Sequence, residues 1–139
     1  MKRMGGFTLI ELLIVIMIIA VLAGAMIPVF RTTRLQAQQA KVGADLDSIK
    51  TAAMMYHQDT GTWPPIGIDG NGLVGNSGAP NWNGPYVDEW RTDPWATAYN
   101  IYAGPGVTRY IQSMGSDKAV GGTGGATDIN LLMTANASF

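Results

Sequence analysis

The sequence predicts an α+β fold: one long N-terminal helix, a transmembrane half followed by an amphipathic half, packed on a small antiparallel β-sheet. Three observations point there. The nineteen residues from Leu12 to Phe30 carry no charge. The residues after them keep an apolar stripe at helical spacing. Beyond Pro65 come short β-branched and aromatic runs separated by glycine and proline.

The chain has 139 residues, 47% of them hydrophobic, and the apolar ones are concentrated near the N-terminus. The remainder, roughly a hundred residues, supports only a small core, of the size at which extra staples help. There is no cysteine, so that staple is not a disulfide, and a metal site or oligomerisation is the natural substitute. The net charge is −1. No basic face stands out, which argues against nucleic acid as a partner.

Lys2 and Arg3 precede Gly5-Gly6 and the run Phe7-Thr8-Leu9-Ile10-Glu11. By the positive-inside rule the basic residues lie on the cytoplasmic side. Phe7 to Phe30 would form a helix of about 36 Å, enough to span a bilayer. An ordinary secretory signal fits badly, because it is cut after its apolar region, and here that cut would fall at Ala23-Gly24-Ala25. A plain anchor leaves Glu11 unexplained, since a carboxylate inside an apolar segment costs a few kcal/mol and signals a partner.

Gly6-Phe7-Thr8-Leu9-Ile10-Glu11-Leu12 resembles the prepilin processing motif shared by type IV pilins and type II secretion pseudopilins. The resemblance implies that a membrane aspartyl peptidase cuts after Gly6 and methylates the new amine of Phe7. It also implies that Glu11, fifth after the cut, pairs with the terminal amine of a neighbouring subunit. The physics agrees, because each charge alone is expensive in hydrocarbon and each supplies the other's missing partner. Loss of Lys2 and Arg3 would leave 7 basic residues against 10 acidic ones, about −3 before the new terminus is counted. Gly24 and Pro28 weaken the helix between them, Pro28 by removing a backbone hydrogen bond and crowding the preceding turn. In the family a proline at this place goes with a melted stretch in assembled filaments.

From Arg31 the character changes. Leu35, Val42, Leu46, Ile49, Ala53 and Tyr56 form one helical stripe, and Lys41/Asp45 and Asp47/Lys50 are spaced to pair on the outer side. The helix should end near Asp59-Thr60-Gly61, because Trp63-Pro64-Pro65 cannot continue it. His57, the only histidine, suits the negative end of the helix dipole. With no second histidine and no cysteine, it is read as structural rather than metal-binding or catalytic. The expected organisation is a leader at 1–6, a membrane and filament-core helix at 7–30, and a soluble head at 31–139 that includes the amphipathic half of the helix.

Residues 66–78 are dense in turn formers and read as a surface loop with one short helical turn at most. Asp69-Gly70-Asn71 opens like a calcium loop, but Leu73 and the missing closing glutamate make it a turn. Asn100–Ala103 and Thr108–Met114, on either side of Gly104-Pro105-Gly106, read as a hairpin. A third strand is expected near Tyr86. Trp82 and Trp90 could serve a surface contact, although packing is the commoner use of tryptophan.

The series Gly84-Pro85-Tyr86, Asp93-Pro94-Trp95, Tyr99, Gly104-Pro105-Gly106, Ser113-Met114-Gly115-Ser116-Asp117, Gly121-Gly122 and Asp128-Ile129 is similar to the major pseudopilin of type II secretion systems. The likeness lacks a counterpart only between Pro65 and Asn83 and after Asn130. In that family the aspartate loop after the hairpin binds one calcium ion. Carried over by position, Asp117 and Asp128 give carboxylates and Met114 a carbonyl, and oxygen ligands on a glycine-rich loop suit calcium. The chain departs from the family in having no acidic residue at Thr123-Gly124-Gly125-Ala126-Thr127, which leaves Thr123 or backbone oxygens to fill in. The competing reading is a solvated loop whose aspartates cap turns.

No Lys-Ser/Thr follows the glycines of 121–125, so a phosphate loop is excluded. No nucleophile constellation is present, and an enzyme is not expected. The expected function is a structural subunit that polymerises into a filament. Its implied partners are further copies of itself, the prepilin peptidase, an inner-membrane assembly platform with a cytoplasmic ATPase, and minor pilins or pseudopilins. It would sit in the inner membrane as a single-pass precursor, then in a periplasmic or cell-surface fibre. The alternatives are a type IV pilus subunit for adhesion, motility or DNA uptake, and a membrane-anchored enzyme or binding module.

Overall fold

The computed structural model describes residues 6–104 and 108–133. Two compact units divide the chain, Met1–Ala37 and Gln38–Phe139. Helix α1 spans Leu9–Thr60.

In the first unit, the apolar side chains described on α1 are exposed, from Leu9 through Met26 to Phe30. The helix is uninterrupted at Gly24 and Pro28. Leu35, placed on the apolar stripe by its spacing, also belongs here and is 39% exposed. Helical periodicity carries on past the point where there is anything to pack against, so Leu35 is not part of the core.

In the second unit the stripe does what its spacing predicts. Val42, Leu46, Ile49, Ala53 and Tyr56 are buried, joined by Ala52. Lys41 Nζ meets Asp45 Oδ2 at 3.0 Å. Among the described residues the ion pairs are this one and Arg91–Glu89, so Asp47 and Lys50 do not close theirs. An exposed pair of this kind gains too little to hold two long side chains in place. The helix stops where expected. Thr60 Oγ1 donates to the Tyr56 carbonyl at 2.8 Å, and Gly61, at φ 72°, donates back to the His57 carbonyl, a left-handed end that glycine tolerates. His57 packs against Trp63 with the rings tilted 41° and their centroids 4.4 Å apart.

The sheet is antiparallel, in the order β1 (Asn100–Ala103), β2 (Arg109–Ser113), β3 (Ile129–Met133). Ile101 faces Ile111, which faces Leu131. Ile101, Ile111 and Met133 join the helix residues, Tyr99 and Leu73 in one core. The hairpin is as expected, with Gly104 N–H donating to the Thr108 carbonyl; Pro105 and Gly106 of its turn lie outside the described residues. The third strand is not near Tyr86 but at Ile129–Met133, most of it beyond Asn130, where the likeness lacks a counterpart. Around Tyr86 the backbone is used elsewhere. Pro85 has no N–H, Tyr86 N–H donates to the Leu73 carbonyl, and Tyr86 Oη donates to Asp59 Oδ2 at 2.8 Å.

Hydrogen bonds from aromatic side chains hold the long loop between α1 and β1. Trp82 Nε1 donates to the Gly72 carbonyl at 2.7 Å and Trp90 Nε1 to the Tyr99 carbonyl at 3.1 Å. Both tryptophans are half-buried against the core, so packing is their use. Tyr99 Oη donates to Asp45 Oδ2 at 2.7 Å. Burial first, then the Asp45 carboxylate, raise the Tyr99 hydroxyl far above its ordinary pKa. Asp69 accepts from Asn71 N–H in a simple turn. Asp93 is buried, and accepts from Ser113 Oγ at 2.7 Å and from the N–H groups of Trp95 and Thr97. Those bonds tie the Asp93-Pro94-Trp95 turn to the end of β2.

Candidate functional site

Two places hold the residues that the sequence singles out, one in each unit. In the first, Gly6, Phe7 and Thr8 precede the helix in non-helical backbone, and Gly6 and Phe7 are exposed. The Gly6–Phe7 bond is therefore accessible to a peptidase. Thr8 and Glu11 form a reciprocal cap. Thr8 N–H and Thr8 Oγ1 donate to Glu11 Oε2 at 2.9 and 2.8 Å, and Glu11 N–H reaches Thr8 Oγ1 at 3.4 Å. This is a Thr-x-x-Glu capping box, which satisfies helix donors that have no intrahelical acceptor. Thr8 is the residue that reasoning from sequence passed over here; its spacing from Glu11 was the available signal. After Glu11 the helix is long and apolar enough to cross a membrane, with a mean hydropathy of 3.0 over its most apolar window, which is wholly exposed. An exposed apolar helix with a prepilin motif fits a membrane-anchored precursor.

The second place is the loop between β2 and β3. A 3-10 turn, η1 (Gly115–Asp117), follows Met114, and another, η2 (Gly124–Ala126), follows Thr123. Asp128 Oδ2 accepts from Gly121 N–H and from Gln112 Nε2, both at 2.9 Å. Asp117 Oδ1 accepts from Ala119 N–H at 3.2 Å. Its other oxygen lies at Gly122, where a Cβ would sit 2.9 Å from Asp117 Oδ2 and collide with the Ala126 carbonyl oxygen. Gly122 has φ 93°, so the position favours glycine on both counts. The two aspartates thus reach consecutive glycines of one turn.

Whether these residues suit calcium can be judged from Asp128. Its Oδ1 is buried and has no hydrogen-bond partner, which is costly unless something supplies the missing positive charge. Among the described residues no three of His, Asp and Glu are grouped for a metal. An ion here would therefore take two carboxylates and complete its shell with oxygens of other kinds, such as the Ala126 carbonyl, which like Asp117 Oδ2 lies close to Gly122. Calcium accepts such mixed oxygen sets, so the donors fit. Thr123 and Met114 flank the two turns, on the chain segments the ion would join. Gln112 and Ala126 were not anticipated. Strand alternation could have placed Gln112 on the same face as Asp128; nothing in the sequence marks the Ala126 carbonyl.

Comparison with known proteins bears on the first place and on the chain as a whole. Residues 1–27 match the family described as the prokaryotic N-terminal methylation motif. Residues 36–107 match the family described as PilW, C-terminal. The type II secretion system core protein G of Pseudomonas aeruginosa is 31% identical over 135 residues, covering 92% of this chain and 94% of that protein. The core protein G of Vibrio cholerae is 30% identical, covering 93% and 92%. That of Aeromonas hydrophila is 31% identical, covering 86% and 88%.

Proposed function

This chain belongs to the family of type II secretion system core protein G, and from that premise we propose that it is the major structural subunit of the secretion pseudopilus. The observation that carries the proposal is an exposed apolar helix with a single carboxylate in its first turn. Such a helix must be covered twice, by lipid before assembly and by other copies after it. The precursor waits in the inner membrane with Lys2 and Arg3 on the cytoplasmic side. Cleavage after Gly6 frees the amine of Phe7, and methylation leaves it positively charged at neutral pH.

In the filament, the Phe7 amine of one copy and Glu11 of a neighbour meet in a water-poor environment and neutralise each other. Burying either alone would be costly, so the pair fixes register as well as adding stability. Gly24 and Pro28 mark the stretch of helix able to loosen when copies pack. Prepilin peptidase, an inner-membrane platform and minor pseudopilins are the partners this reading requires. The fibre grows into the periplasm and works by moving cargo rather than by catalysis.

The aspartate loop is read as a calcium site held by Asp117 and Asp128, with carbonyl oxygens, including that of Met114, completing the shell. Bound calcium would join the two sides of the loop through oxygen ligands. Support comes from the orphaned Asp128 Oδ1 and the oxygens converging at Gly122.

Mass spectrometry of the mature chain tests the filament reading: a start at methylated Phe7 is expected, and an intact Met1 would sink it. Thermal melting of the full chain in detergent, with calcium and then with chelator, tests the ion. A higher melting temperature with calcium is expected, by about 2.7 kcal/mol of added stability at a hundredfold excess over Kd.

A further inference from the structure

We propose that Gln112 is the positioning residue of the calcium loop, a neutral clamp that fixes Asp128 without using up its charge. The inference rests on the calcium reading above. Gln112 lies on β2 opposite Asn130 of β3. That pairing puts Gln112 and Asn130 on one face of the sheet, and Asp128 lies just before β3 begins. Gln112 is 7% exposed, so its amide is sheltered from water and from free rotation. Its Nε2 and the Gly121 N–H both bind Asp128 Oδ2. One donor comes from a strand and the other from the loop, so the carboxylate is held between a rigid element and the turn it must organise. Oδ1 is left buried and unbonded, as the oxygen available to a cation.

The neutrality of the clamp matters here. The loop segment between Asp117 and Asp128 has no further acidic residue. Two carboxylates balance one divalent ion, with nothing to spare. A lysine or arginine at 112 would pair with Asp128 as a salt bridge and compete with the ion. A glutamine amide donates a hydrogen bond and leaves the full negative charge in place.

The test compares wild type with Gln112→Met, which keeps length and removes the donor. Each full-length chain is titrated with calcium chloride in detergent micelles by calorimetry, and melted in chelator. The expected result is a calcium Kd weakened about tenfold or more, with the chelator melting temperature little changed. A purely structural role would do the opposite, lowering the chelator melting temperature and leaving Kd alone. Equal Kd values would overturn the clamp and leave the calcium reading standing. No calcium binding by wild type would overturn both. Should Gln112→Met fail to fold, the side-chain amide of Gln112 in the wild type decides by NMR. Protection of that amide from exchange, retained on adding calcium, is expected; its loss on calcium binding would refute the clamp.

Discussion

Up to Ala37 the described apolar side chains of α1 stand exposed, whereas beyond it one face of the same helix, Val42, Leu46, Ile49, Ala52, Ala53 and Tyr56, is buried. Helix geometry is common to both stretches, and so is residue chemistry. They differ in where the covering surface comes from. The second stretch is covered by Ile101, Ile111 and Met133 of its own chain. The first has no such cover among the described residues, and an apolar surface of that size is a statement about other molecules. Stability and assembly are therefore encoded in separate parts of one helix, and substitutions should affect one without the other.

The largest effect is expected from Glu11→Ala. On the proposed pairing it would leave each Phe7 amine without its partner, a loss of about 3–5 kcal/mol at every junction. Fibres should disappear at concentrations where wild type assembles, with the melting temperature of the head unchanged. Normal fibre yield by electron microscopy would break the comparison. Tyr56→Ala should do the reverse. Emptying that buried site should cost about 3–5 kcal/mol, read by tryptophan fluorescence in a denaturant titration, while membrane insertion of the precursor continues.

Tyr99→Phe sharpens the second half of the comparison. Losing the bond to Asp45 should cost about 1.5 kcal/mol. Its pH signature is more specific. The Tyr99 hydroxyl titrates higher folded than unfolded, so its contribution is complete below about pH 10 and falls as pH rises beyond it. Wild type should lose stability there more steeply than the variant. Lys41→Ala, on an exposed i,i+4 pair, should cost only about 0.3–0.5 kcal/mol, and less in high salt.

Much of this was legible in the residues. Spacing placed the buried stripe, Trp63-Pro64-Pro65 the helix end near Thr60, and Gly104-Pro105-Gly106 the hairpin. Leu35 was misplaced because periodicity continues where the partner surface does not. Strand β3 was missed because Ile129–Met133 is short, carries Asn130 and lies beyond the aspartate loop, while Tyr86 offered a more aromatic candidate nearby. Which oxygens of the loop converge depends on backbone turns at Gly115 and Gly122, and residue types do not record where a carbonyl points. The resemblance names Asp117, Asp128 and Met114 in advance, with Thr123 as a substitute, whereas the Gln112 and Ala126 contacts needed the fold.

The indole and phenol bonds of the long loop have a further consequence. In a chain without cysteine, Trp82, Trp90, Tyr86 and Tyr99 tie loop to loop and loop to helix with donors that no oxidant has to install. The head can therefore be pulled apart and closed again indifferent to thiols, oxidases or the redox poise of its compartment. Added reductant should leave its unfolding curve where it was.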